Sequence, residues 1–516
     1  MIFALYINSA TFTALYRSSE YFWTICLVLF YWISRVLLLT HRGEMDDDPV
    51  AYAATDLKSL VCGFSSSSSA RSASKRAMML AGWGRYPRAD CRVVAARSHA
   101  DVLAVIAAES SLIARGNGRA YGDAALNPDA TLDLRRDDRF VAFDETSGVL
   151  TAEAGVLLAD ILGCLVPRGW FPPVTPGTKF VTLGGMLAAD VHGKNHHKAG
   201  TIGDHVEGLD LALADGRVVR CSRDDNASLF AATLGGMGLT GIILSARLKL
   251  QRIETAYVRQ ETLRARDLEE IMDLFEASRG RTYTVAWIDC LARGRDLGRA
   301  LLYCGEHARS GELPARHRAT PLAVPVRRMR RMPIDFPAFA LNRWSVGAFN
   351  RLFYRASRPG TAIVDYDRFF YPLDAIHEWN RMYGHAGFVQ YQCVLPKAAS
   401  RAGLSALLDR IAAAGAGSFL SVLKLLGPGR GMLSFPMEGY TLALDFRADP
   451  ASLVLLTELD AIVAAHGGRV YLAKDARIAA ADFRRAYANL DDFAAVRGAV
   501  DPGRKFASLQ SRRLDL

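Results

Sequence analysis

The sequence predicts an α+β protein of two domains in which antiparallel sheet is prominent. Between residues 91 and 249, short β-like runs alternate with glycine turns. The run 209–221 alternates apolar and other residues around Asp215-Gly216, a strong turn dipeptide, and therefore predicts a β-hairpin. After residue 256, longer and more regular helical and strand patterns follow, which predicts a second domain.

The individual elements follow from the periodicity of apolar residues. Strands are predicted at 130–134 and 148–155, and helices at 99–110, 157–168, 268–278, 402–414 and 451–466. The last helix ends at Gly467-Gly468, a natural helix C-terminus. We expect residues 80–255 to form the first domain and 256–463 the second. Residues 464–516 are expected to return to the first domain.

Residues 1–79 are predicted to be an N-terminal extension. Its segment 21–39 is strongly apolar but contains Arg35, and it is short for a membrane span. An acidic run at 46–48 and a serine run at 65–69 are typical of a linker. Three interpretations stay open for the apolar segment: a membrane anchor, a start codon placed too early, and a buried helix.

Composition narrows the class of protein and of partner. Of the 516 residues, 50% are hydrophobic and 22% charged, as in globular proteins. The formal net charge is +10, with one local cluster at Arg327, Arg328, Arg330 and Arg331. No nucleic-acid motif is present, so a phosphate-bearing substrate or a lipid headgroup is expected instead. The eight cysteines form no C-x-x-C pair, which argues against a zinc site and a disulfide scaffold.

Three glycine-rich segments stand out: RGNGRAYGDA at 115–124, PGT with TLGG at 176–185, and GGMGLTG at 235–241. The first resembles a dinucleotide fingerprint, but Tyr121 stands where the third glycine belongs, so a Rossmann site is not expected. Alone, such a loop could be a simple turn. One large ligand contacted by several loops explains the three segments together, because successive N–H groups of such loops bind phosphate.

A dense polar cluster follows the second glycine segment and includes His192, Lys194, Asn195, His196 and His197. Small residues beside it let the backbone approach a bulky ligand, which the cluster could orient. The histidines could also be metal ligands, but no carboxylate or cysteine completes a set, so we expect no metal.

These segments occur in order with the motifs GWGR, AWIDC, FFYPLD, QYQCVLP, LKLLGPG and YLAKDAR. Together they resemble the vanillyl-alcohol-oxidase superfamily and, within it, the decaprenylphosphoryl-β-D-ribose 2′-oxidase family. The resemblance runs from about residue 83 to 516. It implies a PCMH-type FAD-binding domain and an antiparallel-sheet substrate domain.

The resemblance also implies which residues bind FAD. Relatives with covalent flavin often have a histidine where this chain has Arg119, so non-covalent FAD is expected. The expected cofactor residues are Ala114, Arg115, Gly116, Asn117, Gly118, Arg119, Ala120, Tyr121, Gly122, Asp123, Ala124, Gly177, Thr182, Leu183, Gly184, Gly185, Ala189, Asp190, Val191, His192 and Tyr471.

Oxidation of an alcohol on a flavin removes a hydride from carbon and a proton from the hydroxyl group. By resemblance, Lys474 is the candidate base, and Lys424 and His192 complete the expected catalytic set. Without the resemblance, a surface pair of Lys474 with Asp475 would be the favoured interpretation, and the resemblance reverses that preference. A lysine can act as a base when burial or a nearby cation lowers its pKa. Gln390 and Gln392 alternate on one strand and can point into the same pocket. The expected substrate-binding residues are Lys194, Trp287, Tyr371, Gln390, Gln392 and Lys424.

The implied reaction is oxidation of the ribose C2′ hydroxyl of a decaprenylphosphoryl or other polyprenylphosphoryl β-D-ribose to the 2′-keto sugar. This is the first half of an epimerisation to the arabinose donor for cell-envelope arabinan. An NAD(P)H-dependent reductase is the expected partner, and the expected location is the inner membrane, on either face. Two alternatives stay open: a sugar-lactone or alditol oxidase that uses O2, and a non-catalytic flavin-binding protein.

The chain departs from the family pattern at three positions. Ala443 stands where mycobacterial members have a cysteine that nitroaromatic inhibitors trap, Thr441 where asparagine is usual, and Leu426 where phenylalanine is usual. Catalysis does not require that cysteine, so we expect oxidation without covalent trapping at Ala443.

Overall fold

A computed structural model describes residues 77–325, 329–337 and 340–516. The apolar segment 21–39, the linker features, Arg327 and Arg328 lie outside these residues. Of the helices within the described ranges, none combines the length and the apolar character needed to span a bilayer. The described residues divide into two compact units. One contains residues 77–80, 89–94 and 128–130, and the other contains residues 81–88 and 95–127 and the described residues from 131 onward.

The N-terminal half of the described chain contains short strands and short helices. The strands are β1 Ala77–Ala81, β2 Arg88–Ala95, β3 Ile113–Arg115, β4 Thr131–Asp133, β5 Phe140–Asp144, β6 Val149–Glu153, β7 Trp170–Phe171, β8 Val206–Ala212, β9 Val218–Cys221, β10 Ile242–Lys249 and β11 Gln251–Arg252. The helices are α1 His99–Ala108, α2 Leu158–Leu165, α3 Leu183–Ala188, α4 His196–Ala199 and α5 Ala227–Thr233.

An antiparallel five-stranded sheet, in the order β5-β6-β10-β8-β9, forms the centre of this half. The predicted hairpin is its β8–β9 pair. Its turn is closed by a 2.8 Å hydrogen bond from Leu213 N to Arg217 O, and Gly216 has a φ of +86°, which favours glycine. Buried residues of β6, α2 and α3 share one apolar core beside this sheet.

The C-terminal half consists of longer strands and helices. The strands are β12 Tyr257–Ala265, β13 Tyr283–Ile288, β14 Ala300–His307, β15 Arg330–Arg331, β16 Gly360–Asp365, β17 Ile376–His377, β18 Phe388–Pro396, β19 Ser421–Leu426, β20 Gly439–Arg447 and β21 Arg469–Val470. The helices are α6 Leu268–Ala277, α7 Ala315–Arg318, α8 Arg343–Ala356, α9 Tyr366–Phe370, α10 Lys397–Ala414, α11 Pro450–Ala465, α12 Ala480–Ala486, α13 Leu490–Val500 and α14 Leu509–Leu514.

An antiparallel eight-stranded sheet, in the order β16-β12-β14-β13-β19-β20-β18-β21, organises this half. Helices α6, α10 and α11 share an apolar core with one face of the sheet, through residues such as Ile271, Leu407 and Leu456. Because side chains alternate along a strand, the intervening residues of β13, β18, β19 and β20 face the other way. That second face carries the polar residues described below.

The C-terminal segment contacts elements from both halves. Strand β21 extends the eight-stranded sheet. Farther along the segment, Leu112 N donates to Lys505 O at 2.9 Å, and Arg513 Nη2 lies 2.9 Å from Asp123 Oδ1. The architecture is α+β, as the sequence predicts, and its two largest sheets are antiparallel. The boundaries at 256 and 464 stay predictions, because residues 131–516 lie in one compact unit.

Candidate active site

A cavity of about 930 Å³ lies between the glycine-rich segments and the polar face of the eight-stranded sheet. Its volume is at the upper end of the range for small-molecule sites, about 300–1,000 Å³, and is suited to a large cofactor with a substrate. Most of the residues predicted from the sequence line it: Ala114, Gly116, Asn117, Gly118, Arg119, Ala120, Tyr121, Ala124, Gly177, Thr182, Gly184, Gly185, Ala189, Val191, His192, Lys194, Trp287, Gln390, Gln392, Lys424, Tyr471 and Lys474.

The loop 116–120 presents unbonded backbone N–H groups to this cavity. Within the described residues, none of the five consecutive amides has a hydrogen-bond acceptor, and all five residues line the cavity. Gly118 has a φ of +63°, which allows the tight turn. Successive free N–H groups form a concave site for an anion. The loop therefore fits the pyrophosphate of FAD.

The glycines of the site serve two different purposes. A Cβ on Gly116 would lie 2.1 Å from Thr182 Oγ1, and one on Gly184 would lie 2.8 Å from Ala154 Cβ. These two glycines are required by packing within the protein. Gly177 lines the cavity, and a Cβ on it would meet no atom of the described residues within 4 Å. Packing within the described protein therefore does not explain the glycine at 177, which borders the cavity.

Arg119 occupies the position where some relatives attach flavin covalently. Its guanidinium carbon lies 3.9 Å from the centroid of the Trp83 ring, and its side chain lines the cavity. Burial lowers the pKa of this guanidinium. Arginine cannot form the covalent bond to flavin that a histidine forms at this position in those relatives. Non-covalent binding of FAD therefore stays a prediction, and it is based on Arg119.

Five predicted cofactor residues do not line the cavity. Arg115 Nη2 donates to Ala81 O at 2.7 Å, Asp123 pairs with Arg513, and Asp190 Oδ1 accepts from Gly203 N at 3.1 Å. A Cβ on Gly122 would lie 1.9 Å from Asp475 O. Leu183 is fully buried, and its amide donates to Val156 O. These residues hold the cofactor-lining segments in place.

Lys474 lies in the turn that follows β21. This turn is held by α14, because Gln510 Nε2 donates to Leu472 O at 2.8 Å and Arg513 pairs with Asp475 at 2.8 Å. The Lys474 ammonium lies 3.6 Å from the centroid of the Tyr121 ring. Burial lowers the pKa of Lys474 to about 7, while Asp445 raises it and Lys424 lowers it. With its pKa lowered in this way, Lys474 can accept a proton near neutral pH.

Asp445 does not line the cavity but contacts Gln390, which does, and no sequence motif pointed to it. It accepts hydrogen bonds from Gln390 Nε2 at 2.6 Å and from the Tyr383 hydroxyl at 3.1 Å. Burial raises the pKa of Asp445 to about 7, and Lys474 lowers it. The available signal was the alternation of Thr441, Ala443 and Asp445 along β20, which puts all three on one face.

His192 and Gln392 form a second polar group in the cavity wall. Gln392 Nε2 lies 3.0 Å from His192 Nε2 and 3.2 Å from Thr441 Oγ1. Burial, followed by the charge of Lys424, lowers the pKa of His192 well below its usual value. With the amide nitrogen donating, Nε2 accepts and the proton lies on Nδ1. His192 Nδ1 has no partner among the described residues, so it is free to donate to a ligand.

Two further lysines line the cavity as predicted. Burial lowers the pKa of Lys194 to about 7, and it donates to Phe369 O. Burial also lowers the pKa of Lys424 to about 8. An entering anion would favour the charged form of both lysines.

The predicted pocket aromatics are divided by the structure. Trp287 lines the cavity, and its Nε1 donates to Phe419 O at 3.1 Å. Tyr371 does not line it, because its side chain is buried with its hydroxyl bonded to Thr175 Oγ1. Phe369 and Phe370, which were not among the predicted residues, line the cavity instead.

The histidines that follow His192 have structural partners. His196 Nδ1 accepts from Gly427 N at 3.0 Å, and His197 Nε2 lies 3.0 Å from Arg281 O. Among the described residues, the one group with three metal-type ligand atoms within 4.8 Å of one another is His99, Asp137 and Glu153, which does not line the cavity. Glu153 in that group is already paired with Arg139 at 2.6 Å.

Comparison with known proteins agrees with this site. Residues 91–222 match the FAD binding domain family, and residues 444–514 match the D-arabinono-1,4-lactone oxidase family. The decaprenylphosphoryl-beta-D-ribose oxidase of Mycolicibacterium smegmatis is 37% identical over 450 residues, which cover 85% of this chain and 97% of the relative. The chain belongs to the decaprenylphosphoryl-β-D-ribose oxidase family. It is an FAD-dependent oxidoreductase with a PCMH-type fold.

Two other relatives show how far this similarity extends. A Streptomyces coelicolor protein, named only by its place in the mprA 5′ region, is 39% identical over 365 residues, or 68% of this chain and 98% of the relative. The L-gulonolactone oxidase of Bos taurus is 29% identical over 158 residues, or 31% of this chain and 35% of the relative. Similarity to the decaprenylphosphoryl-β-D-ribose oxidase therefore covers much more of the chain than similarity to the lactone oxidase.

Proposed function

We propose that this oxidoreductase converts the ribose C2′ hydroxyl of a polyprenylphosphoryl β-D-ribose to a 2′-keto group. The observation that carries the proposal is the composition of the cavity. Gln390, Gln392 and Lys424 on its sheet face, together with Lys474 in the turn after β21, suit a phosphorylated sugar. Apolar side chains continue the same cavity at Trp287, Val346, Phe349 and Phe353, where a prenyl chain can lie.

The chemistry divides between the cofactor and the protein. When bound, FAD supplies the acceptor for the hydride that leaves C2′. Lys474 Nζ, whose pKa burial lowers to about 7, takes the hydroxyl proton. Asp445 holds the amide of Gln390 by its nitrogen, so that the Gln390 carbonyl oxygen is oriented to accept from a sugar hydroxyl. His192 Nδ1 can donate to an acceptor in the cavity.

The substrate's phosphate diester would find cations in the same cavity. Lys194 and Lys424 line it, and burial lowers the pKa of both ammonium groups. Charging them together with an anion costs less than charging them alone, because the opposite charge compensates for desolvation. An uncharged sugar lacks this compensation, and this difference favours a phosphorylated substrate.

The proposal extends to partners and location. A 2′-keto sugar that is to become the arabinose epimer must be reduced again, so an NAD(P)H-dependent reductase is the proposed partner. A polyprenyl substrate resides in a bilayer, so the proposed location is the inner membrane.

The decisive experiment is anaerobic bleaching of the bound flavin by synthetic polyprenylphosphoryl β-D-ribose in detergent. We expect loss of the oxidised-flavin absorbance with the ribose compound and none with its 2′-deoxy analogue. The match of residues 444–514 to the D-arabinono-1,4-lactone oxidase family favours a second candidate, an aldonolactone oxidase. Faster bleaching by such a lactone, with peroxide released in air, would replace the proposed reaction with that one. Bleaching by neither compound would support a non-catalytic flavin-binding role.

A further inference from the structure

The positive charge of this chain is concentrated in one segment. Residues 313–364 contain ten arginines and a single acidic residue, Asp335, for a formal charge of +9 out of +10 for the whole chain. Only the four arginines at 327–331 stand out as a local cluster in the sequence. The wider segment includes helix α8, whose arginines are all described by the structure.

Helix α8 exposes an apolar and cationic stripe. The side chains of Trp344 and Leu352 are 73% and 69% exposed, values that are unusual for large apolar residues. Arg351 and Arg355 are also exposed, and the helical spacing puts all four residues on one side of the helix. Within the described residues, neither arginine forms an ion pair. The Arg343 guanidinium lies over the Trp344 ring, 4.4 Å from its centroid, and adds a third cation beside this stripe. The large exposed fractions show that the described chain leaves most of the stripe open to solvent.

The opposite side of α8 forms part of the cavity wall. Val346, Phe349 and Phe353 line the cavity, and the Phe353 ring centroid lies 4.9 Å from that of Trp287. Phe349 is 45% exposed while it lines the cavity, so the cavity reaches the surface at this helix. One helix thus carries the exposed stripe on one side and the mouth of the cavity on the other.

We propose that the outer stripe of α8, defined by Trp344, Arg351, Leu352 and Arg355, docks on an anionic lipid bilayer. Arginines near a surface of anionic lipid contribute about 1 kcal/mol each, and tryptophan favours the membrane interface. An amphipathic helix of this composition lies in the plane of the interface. The mouth at Phe349 then opens toward the lipid. This inference rests on the proposed function, because it explains how a polyprenyl chain enters the cavity without crossing water.

The test uses the full chain and vesicles of phosphatidylcholine with and without phosphatidylglycerol. Vesicles with shallow-brominated lipid should quench tryptophan emission, and the quenched fraction should fall in Trp344→Phe, which keeps an apolar ring. Comparing the two proteins isolates Trp344 from tryptophans elsewhere in the chain. Equal quenching of wild type and Trp344→Phe would overturn the proposal.

A charge-reversal pair provides the second measurement. The double variant Arg351→Glu/Arg355→Glu should lower the affinity of the protein for anionic vesicles by at least about tenfold. The control is Arg217→Glu/Arg220→Glu, which reverses two charges on the exposed β8–β9 hairpin. This control should change the vesicle affinity by less than about twofold. Flavin bleaching by detergent-dispersed substrate should be unchanged in both variants, which separates this test from that of the proposed function. Unchanged vesicle affinity together with lost binding of a reductase would make the stripe a protein interface and contradict bilayer docking.

Discussion

Asp445 accepts a 2.6 Å hydrogen bond from Gln390, its direct cross-strand partner in the β18–β20 pair. The carboxylate is buried, and Lys474 is close enough for each group to shift the pKa of the other. A single acidic side chain thus fixes the orientation of a substrate-facing amide and favours the charged form of the candidate base. Asp445 is a positioning residue in this arrangement, because it acts through Gln390 and Lys474.

The first prediction concerns Asp445→Asn, which removes the negative charge but keeps the shape. Asp445 raises the pKa of Lys474, so its removal lowers that pKa further. The base is active when neutral, and the rate of flavin reduction rises as pH increases through its pKa. We expect the rising limb of the rate profile, near pH 7 in the wild type, to move to lower pH. Stopped-flow flavin reduction at a series of pH values measures this.

A second variant should move the same limb in the opposite direction. Lys424 lowers the pKa of Lys474 through like-charge repulsion. Lys424→Met removes that repulsion, so the limb should move to higher pH even where substrate affinity also falls. Opposite shifts in the two variants identify Lys474 as the titrating group. Shifts in the same direction would assign the limb to some other residue.

The third prediction tests Lys474 itself. Lys474→Met keeps the length of the side chain and removes the base, so flavin reduction should slow by about 10²- to 10⁴-fold, the usual contribution of a general base. FAD content should stay near that of the wild type, since the loop 116–120 is unchanged. Lys397→Met is the matched control, because Lys397 is a partly exposed lysine paired with Glu276 and does not line the cavity. Wild-type rates in Lys474→Met would exclude it as the base.

Patterns of local sequence predicted the elements but only part of the site. The hairpin at Asp215-Gly216 and helix α11 follow from local signals, namely a turn dipeptide and apolar spacing ended by Gly467. The contact between Lys474 and Tyr121 depends on strand pairing and on the packing of the C-terminal segment against the N-terminal half. Local patterns do not predict this contact, and only the family resemblance indicated that Lys474 lies near the cofactor. Asp445 was missed because an isolated aspartate gives no sign of burial in a sequence.

Two errors of assignment share a related cause. Tyr371 was expected in the pocket, but the short helix α9 presents Phe369 and Phe370 to the cavity instead. Tyr371, the next residue, has its side chain buried in the core. Gly122 and Leu183 lie within cofactor motifs, yet they serve internal packing. A motif identifies a segment, whereas the direction of each side chain depends on turn geometry that the sequence does not reveal.

The fourth prediction separates packing glycines from those that border the cofactor. Gly177→Ala adds a methyl group to open cavity space, so the protein should fold normally and bind FAD about tenfold more weakly, as expected for about 1–3 kcal/mol of overpacking. Gly122→Ala would place Cβ 1.9 Å from Asp475 O and should lower the thermal midpoint of the protein. Flavin titration and thermal unfolding of both variants provide the comparison. Normal FAD affinity in Gly177→Ala would show that FAD does not occupy that space.

The fifth prediction concerns Ala443, which lines the cavity in register with Gln392 and Val422. In family members with a cysteine at this position, nitroaromatic inhibitors trap that cysteine. When a nitroaromatic inhibitor is added during turnover, Ala443→Cys should therefore form a stable adduct with it, whereas the wild type should form none. Cys393, on the adjacent strand, is fully buried, and burial raises its pKa to about 12, which keeps it unreactive. Intact-protein and peptide mass spectrometry measures the adduct, and Cys393, which should stay unmodified, is the internal control. An adduct at residue 443 can form only in the variant, so an equal added mass in the wild type would mean that another residue occupies the reactive position.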